Sequence, residues 1–196
     1  AVQLDYIEGL INNLAQKNFI FLVVGLNSIY TKTFFENIHK IPEVHTLIGE
    51  TAKKTVKLYE SLFYQKNRPA IEITKPSEQA FKAILKPTER GGVILLLTWP
   101  IGRQEKDNLD FLIRHDLLPN DEKQYELEYH LLQKGFLPKS EESQWHYRAS
   151  HWRAIRLPDN PKLAAIFIKR LKESGILLAM LSYVAEDQPE LTSNGV

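Results

Sequence analysis

The sequence contains no cysteine. This absence excludes a disulfide-stabilised scaffold, thiolate zinc sites, iron–sulfur clusters and cysteine nucleophiles. A chain without cysteine is compatible with a reducing compartment, and we expect a cytoplasmic protein. The chain also lacks any apolar run near the roughly 20 residues that a membrane helix requires. Its first residues show no cationic stretch followed by an apolar core, so we expect neither a signal peptide nor a membrane-bound protein.

A strong charge of one sign is missing as well. The 25 basic residues nearly balance the 24 acidic ones, and the formal net charge is +1. A globally basic surface is therefore excluded, although charge can still be unevenly placed. With 196 residues, 43% of them hydrophobic, the chain is long and apolar enough to bury a core. We expect one domain over residues 1–186 and a polar, frayed tail over residues 187–196.

Apolar periodicity predicts helices that alternate with short buried strands. Helices are predicted over residues 2–16, 33–39, 42–65, 77–85, 105–115, 121–134 and 161–174. Strands are predicted over residues 19–25, 70–74, 93–98 and 176–184, and residues 144–157 are predicted to be extended. The alternation predicts a layered α/β fold with a short, largely parallel central sheet flanked by helices, and the late extended segment leaves an α+β fold open.

Residues 144–156 combine aromatic and basic side chains, with two of the three tryptophans, three arginines and no acid. Proteins that bind single-stranded nucleic acid use this combination, because guanidinium groups contact phosphates while aromatic rings stack on bases. We therefore predict a non-catalytic nucleic-acid-binding or accessory domain in which the arginines neutralise phosphates and Trp152 stacks. The predicted contact residues are Arg148, His151, Trp152, Arg153 and Arg156.

The same segment admits two other interpretations. Arginine and large aromatic residues are enriched at the energetic centres of protein–protein interfaces, so a protein-docking or adaptor module is the alternative hypothesis. A plain structural role, with Trp145 in the core, is also open. Nucleic-acid binding through phosphates should weaken as salt rises, whereas docking through apolar contacts should depend little on salt.

A second alternative is a nucleotide-linked enzyme, or a degenerate relative of the phosphate-binding loop. Gly25 follows a predicted strand, and Lys32 and Thr33 precede a predicted helix, which is the order of such a loop. Gly25, Lys32 and Thr33 would be the phosphate contacts. The spacing has one residue too many, however, and Thr31 stands where a second glycine belongs. A simple connection between strand and helix explains the segment equally.

Metal-dependent and nucleophilic chemistry lack a recognisable pattern. Glu126 and His130 lie four residues apart on a predicted helix and share a face. A metal site needs at least a third ligand, and no motif supplies one, so we predict no metal site and no cofactor. The chain has no Gly-x-Ser-x-Gly elbow, and Ser28 has no assignable base. No residue is therefore given a catalytic role.

Overall fold

The computed structural model describes residues 4–15, 17–62, 69–85 and 92–185. Contacts divide the chain into two compact units, Ala1–Pro69 with Asn160–Ala165 and Ala70–Asp159 with Ile166–Val196. Both units combine helices with parallel strands, so the predicted α/β class is confirmed, with the strands in two sheets. The single domain over residues 1–186 stays a prediction, and the predicted tail over residues 187–196 lies outside the described residues. Among the helices in these ranges, none has the length and apolarity needed to span a membrane.

The first unit packs helices against a two-stranded parallel sheet. Its elements are α1 (Leu4–Leu14), β1 (Phe21–Leu26), α2 (Lys32–Ile38), β2 (Val44–Gly49) and α3 (Ala52–Ser61). Strand β1 pairs with β2 from Phe21 opposite Val44 to Leu26 opposite Gly49. Ile11 of α1 and Phe34, Phe35 and Ile38 of α2 form a buried cluster with Val44. The apolar faces of the two helices and the start of β2 therefore share one core.

The prediction of one helix over residues 42–65 is wrong. Residues 44–49 form β2, which pairs with β1, and a separate helix, α3, follows. The Oγ1 atom of Thr51 accepts the Lys54 N–H at 3.2 Å and starts α3 there. Val44 and Ile48 lie four residues apart, a spacing that gives one face in a helix and also one face in a strand. The apolar stripe could not separate the two structures.

The second unit is built on a three-stranded parallel sheet in the order β3–β4–β5. Its elements are β3 (Ile71–Thr74), α4 (Glu78–Leu85), β4 (Val93–Leu96), α5 (Arg103–Arg114), α6 (Asp121–Glu128), the π-helical segment Tyr129–Lys134, α7 (Glu142–Ala149), β5 (Ala154–Arg156), α8 (Pro161–Glu173, whose start belongs to the first unit) and α9 (Ile176–Ala185). All four residues of β4 are buried, as expected for a central parallel strand. The π-helical segment ends at Gly135, whose φ of 84° lies in the left-handed region that favours glycine.

Two predicted extended segments are helical, and those predictions are wrong. Residues 142–149 form α7, and only residues 154–156 of the segment 144–157 form a strand. Residues 176–185 form α9 in place of a final strand. Trp145 and Ala149 are fully buried and lie four residues apart, as do Ile176 and Met180. In each helix these pairs occupy one face, and burying that face stabilises the helix.

Candidate functional site

The helical conformation of α7 divides the predicted contact residues into two groups. Arg148, His151 and Trp152 line one open groove, whereas Arg153 and Arg156 make structural contacts away from its wall. We call this groove the α7 groove, and its volume is about 280 Å³. The remaining residues of its wall are Asp116, Leu118, Pro119, Asn120, Lys123 and Tyr147.

Arg148 is a half-buried cation that is held by an aromatic ring. Its guanidinium carbon lies 5.1 Å from the centre of the Trp145 ring, and Trp145 is fully buried. Within the described ranges of the chain, Arg148 makes no ion pair with a carboxylate. A guanidinium carries five N–H donors, and stacking on a ring leaves those donors in its own plane available. The groove therefore contains a positioned cation whose donors are not used by an acid.

His151 and Tyr147 form the exposed aromatic part of the groove. The Nδ1 atom of His151 lies 2.8 Å from the Tyr147 carbonyl oxygen. A carbonyl oxygen only accepts, so Nδ1 carries the hydrogen, and in the neutral ring Nε2 carries the lone pair. The two rings are 4.7 Å apart between centres, and Tyr147 is 69% exposed. Tyr147 thus offers a ring face beside the Arg148 cation.

Lys123 adds a second cation at the beginning of α6. Asn120 caps this helix by accepting the Lys123 N–H at 2.9 Å. The Lys123 ammonium lies 2.6 Å from a Glu126 carboxylate oxygen, so much of its charge is compensated. Asp116 is the acid in the groove wall. The acids at the groove thus offset much of its positive charge, and Arg148 is the cation of its wall that no carboxylate of the described residues pairs.

Trp152 and Arg153 are both buried, although Trp152 contributes to the wall of the α7 groove. Trp152 is 6% exposed, and its ring centre lies 6.3 Å from that of Trp145, so the two indoles pack in the core. Arg153 is 4% exposed and donates to the carbonyl oxygens of Ile84 at 2.8 Å and Leu85 at 3.2 Å. Those carbonyls lie at the end of α4, where no further backbone N–H groups of the helix are available to donate to them. The stacking by Trp152 and the phosphate contact by Arg153 stay predictions, and packing in the core and helix capping account for the two residues without them.

Arg156 is also engaged in structure. Its guanidinium donates to a carboxylate oxygen of Asp121 and to the Pro119 carbonyl oxygen at 3.1 Å. The buried side chain of Gln124 donates to the Arg156 carbonyl at 3.1 Å. These bonds join β5 to the first turn of α6. Arg156 thereby fixes the position of the groove wall and does not itself line it.

Gly25 is explained by packing within the first unit. A Cβ atom built at Gly25 would lie 2.5 Å from Cζ of Phe35, so the ring occupies the space that a side chain would need. In the turn that follows, the Thr31 hydroxyl donates to the Leu26 carbonyl at 2.6 Å and accepts the Ser28 N–H at 3.1 Å. Polar groups that would have to bind an anion are therefore already hydrogen-bonded within the turn.

Lys32 and Thr33 begin α2 as exposed residues. The Lys32 ammonium lies 4.0 Å from a Glu36 carboxylate oxygen, in an exposed pair one helical turn apart. These contacts account for Gly25, Lys32 and Thr33 as a strand-to-helix connection. A phosphate role for the three residues stays a hypothesis to which the geometry adds no support.

Three metal-ligating side chains converge beside the α7 groove. Glu126, His130 and Glu141 are half-buried, and one ligand atom from each lies within 4.8 Å of the others. The sequence identified the first two residues as sharing a helix face. Glu141 comes from the turn before α7, and no spacing motif connects it with His130. The third ligand that the sequence lacked is therefore supplied by the tertiary fold.

Comparisons of the chain with protein-family models, characterised proteins and solved structures found no match.

Proposed function

We propose that this protein binds single-stranded nucleic acid, without catalysis, through the α7 groove. The observation that supports this most directly is Arg148, a half-buried guanidinium held over Trp145 with no carboxylate partner among the described residues. Leaving a partly buried cation without an acid is unfavourable unless another anion can approach it. A phosphate matches the planar, forked donors of arginine.

Some residues of the groove are suited to bind the phosphates of a nucleic acid, and others are suited to bind its bases. Arg148 and Lys123 contact phosphate oxygens, and Nε2 of His151, which carries the lone pair, accepts an N–H from a base. Tyr147 takes the stacking role that the sequence suggested for Trp152, because Tyr147 is the exposed ring. Stacking of a base on an aromatic side chain contributes about 1–3 kcal/mol and tolerates any base. We therefore expect binding with little sequence preference.

The small number of cations sets the expected salt dependence. With two phosphates neutralised, the logarithm of affinity for a single strand should fall with the logarithm of salt with a slope of about −1.4. Raising the salt from 50 to 200 mM should then weaken binding about 7-fold. A duplex should bind less well, because its stacked bases are not available to Tyr147.

The test is fluorescence anisotropy of labelled single-stranded and duplex oligonucleotides, with Arg148→Met and Tyr147→Ala. Arg103→Met is the matched control, since it removes one exposed arginine of α5 outside the groove and changes the net charge equally. Arg148→Met should weaken single-strand binding at least about 10-fold, as expected for a charge-assisted contact. Tyr147→Ala should weaken it as well, and Arg103→Met should have little effect. Equal effects of Arg148→Met and Arg103→Met, or no binding by the wild type at low salt, would refute the proposal.

A protein-docking module is the second candidate function. It is favoured by three exposed tyrosines of the second unit, Tyr125 of α6, Tyr129 of the π-helical segment and Tyr147 of α7. Tyrosine and arginine often dominate the energy of interfaces. This candidate predicts a protein complex that resists nuclease and depends weakly on salt. For either function we expect the cytoplasm as the compartment, since the chain has no cysteine that requires an oxidising one.

A further inference from the structure

The cluster of Glu126, His130 and Glu141 has the composition of a transition-metal site. It offers one imidazole nitrogen and two carboxylates, all half-buried. Three protein ligands with a water in the fourth position are typical of open zinc sites. Imidazole suits Zn²⁺ and its neighbours in the first transition series, whereas Mg²⁺ and Ca²⁺ prefer oxygen ligands alone. The donor set therefore selects a transition metal over the two abundant hard cations.

The distances allow the three atoms to bind one ion. Ligand atoms at about 2.0–2.1 Å from a tetrahedral metal lie about 3.3 Å from one another. The three donor atoms lie within 4.8 Å of one another, so each pair has to approach by about 1.5 Å at most. Glutamate side chains reach such positions by rotation about their own bonds. No movement of a helix is required.

The backbone positions of the ligands are fixed by hydrogen bonds. Glu141 donates its N–H to the Pro138 carbonyl at 2.9 Å, and its own carbonyl accepts the Trp145 N–H at 2.9 Å. Glu126 lies in α6, and His130 lies in the π-helical segment that continues it. π-Helical turns are rare and are frequent at functional sites. Here the wider turn carries the imidazole that faces the two carboxylates.

An unsatisfied buried donor lies beside the cluster. Trp145 is fully buried, and its indole N–H has no hydrogen-bond partner among the described residues. The Trp145 and His130 rings are 6.1 Å apart between centres, in an edge-to-face arrangement. An orphaned buried donor is unusual in native proteins. The Trp145 donor therefore needs an acceptor that the described residues do not supply.

Lys123 is the cation that the cluster holds when no metal is bound. Its ammonium lies 2.6 Å from a Glu126 carboxylate oxygen and competes with a metal for the same charge. We propose that Glu126, His130 and Glu141 bind one divalent transition-metal ion of the Zn²⁺ class in competition with Lys123. Because Lys123 also lines the α7 groove, metal binding increases the positive charge that the groove offers to an anion. The metal site itself does not depend on the proposed nucleic-acid binding.

The experiment measures Zn²⁺ binding by titration calorimetry, and Co²⁺ binding by its visible absorption, on the full chain without a histidine tag and after chelation. The wild type should bind one equivalent of each ion, with weaker binding of Mg²⁺. Glu141→Gln and His130→Gln should lose at least about 100-fold in affinity, since loss of even an outer-sphere partner costs up to about that much. His45→Gln, at an exposed position in the first unit, is the matched control and should bind as the wild type does.

Lys123→Met distinguishes this site from general weakening of the fold. Removal of the competing cation should tighten Zn²⁺ binding at least about 5-fold, since two unit charges about 4 Å apart interact by about 1 kcal/mol even with the full screening of water. Thermal melting in the presence of chelator shows whether each variant is folded. Absence of saturable Zn²⁺ or Co²⁺ binding to the wild type would overturn the proposal. Wild-type affinity in Glu141→Gln, or equal losses in His130→Gln and His45→Gln, would overturn it as well.

Discussion

Arg153 and Arg148 lie five residues apart and should respond to substitution in opposite ways. Arg153 is buried and bonds the carbonyls of Ile84 and Leu85 at the end of α4. Arg148 is half-buried, stacks on Trp145 and faces the α7 groove. We predict that Arg153→Met lowers stability and leaves binding by the folded protein intact. Arg148→Met should leave stability nearly intact and lower binding.

The expected cost follows from the contacts that each substitution removes. A hydrogen bond to a charged group contributes about 1.5–3 kcal/mol, and a buried carbonyl left without its donor costs a similar amount. Methionine keeps most of the apolar stem, so loss of the Arg153 bonds to Ile84 and Leu85 should lower the free energy of unfolding by about 3 kcal/mol. Arg148→Met removes a cation–π contact of about 0.5–1 kcal/mol.

Urea denaturation followed by tryptophan fluorescence measures both losses, because Trp145 and Trp152 are buried reporters. With a slope of about 2 kcal/mol per molar, Arg153→Met should lower the urea midpoint by about 1.5 M. Arg148→Met should lower the midpoint by no more than about 0.5 M. A midpoint for Arg153→Met within 0.5 M of the wild type, or a larger loss for Arg148→Met, would refute the structural role of Arg153.

Two further predictions concern local contacts. Gly25→Ala places a Cβ atom 2.5 Å from Cζ of Phe35, so it should lower stability in urea by about 1–3 kcal/mol. The same substitution should cost less when it is made in Phe35→Leu than in the wild type, and no loss in Gly25→Ala would contradict the close approach. The hydrogen bond from Lys82, followed by its charge, lowers the pKa of Glu78, so this pair stabilises the fold above the ordinary carboxyl pKa and less as pH falls through the lowered value. In Lys82→Met, the Glu78 pKa measured by NMR titration should rise to its ordinary value, and an unchanged value would exclude this cause.

Elements that are bounded by glycine or proline were predicted from the sequence. Gly92 precedes β4 and Pro100 follows it, and the four apolar residues between Val93 and Leu96 are too few for an ordinary helix. Gly135 directly follows the helix predicted over residues 121–134, and its φ of 84° is the left-handed conformation in which a glycine commonly ends a helix. In these places the local preferences of the chain agree with the final packing.

The errors fall where the apolar pattern fits two structures. Ile176–Ala185 is an apolar run that suits a buried strand as well as a buried helix, and periodicity alone does not separate them. Residues 144–149 carry aromatic side chains that favour strands, yet burial of Trp145 and Ala149 on one face stabilises α7. Tertiary contacts, which a single sequence does not display, determine that both segments are helical.

Only some residues of the candidate site were predicted, because the others are brought together by tertiary contacts. Composition identified Arg148, His151 and Trp152, which line the α7 groove. Because residues 144–157 were predicted to be extended, Trp152 was named as the stacking residue. In the helical α7 the exposed aromatic ring is that of Tyr147, and Trp152 is buried. Glu141 lies near His130 only because the chain turns back before α7. Proximity of that kind leaves no trace in residue spacing.

The order of strands in the second unit also determines when its sheet can be completed during synthesis of the chain. Strand β4 pairs on one side with β3, about 20 residues earlier, and on the other with β5, about 60 residues later. While the chain emerges from the ribosome, the second edge of β4 has no partner until residues 154–156 are released. During that interval an apolar strand edge is open to pairing with other chains. The crossover that carries the α7 groove and the Glu126 cluster therefore also sets the length of the period in which nascent chains are prone to aggregate.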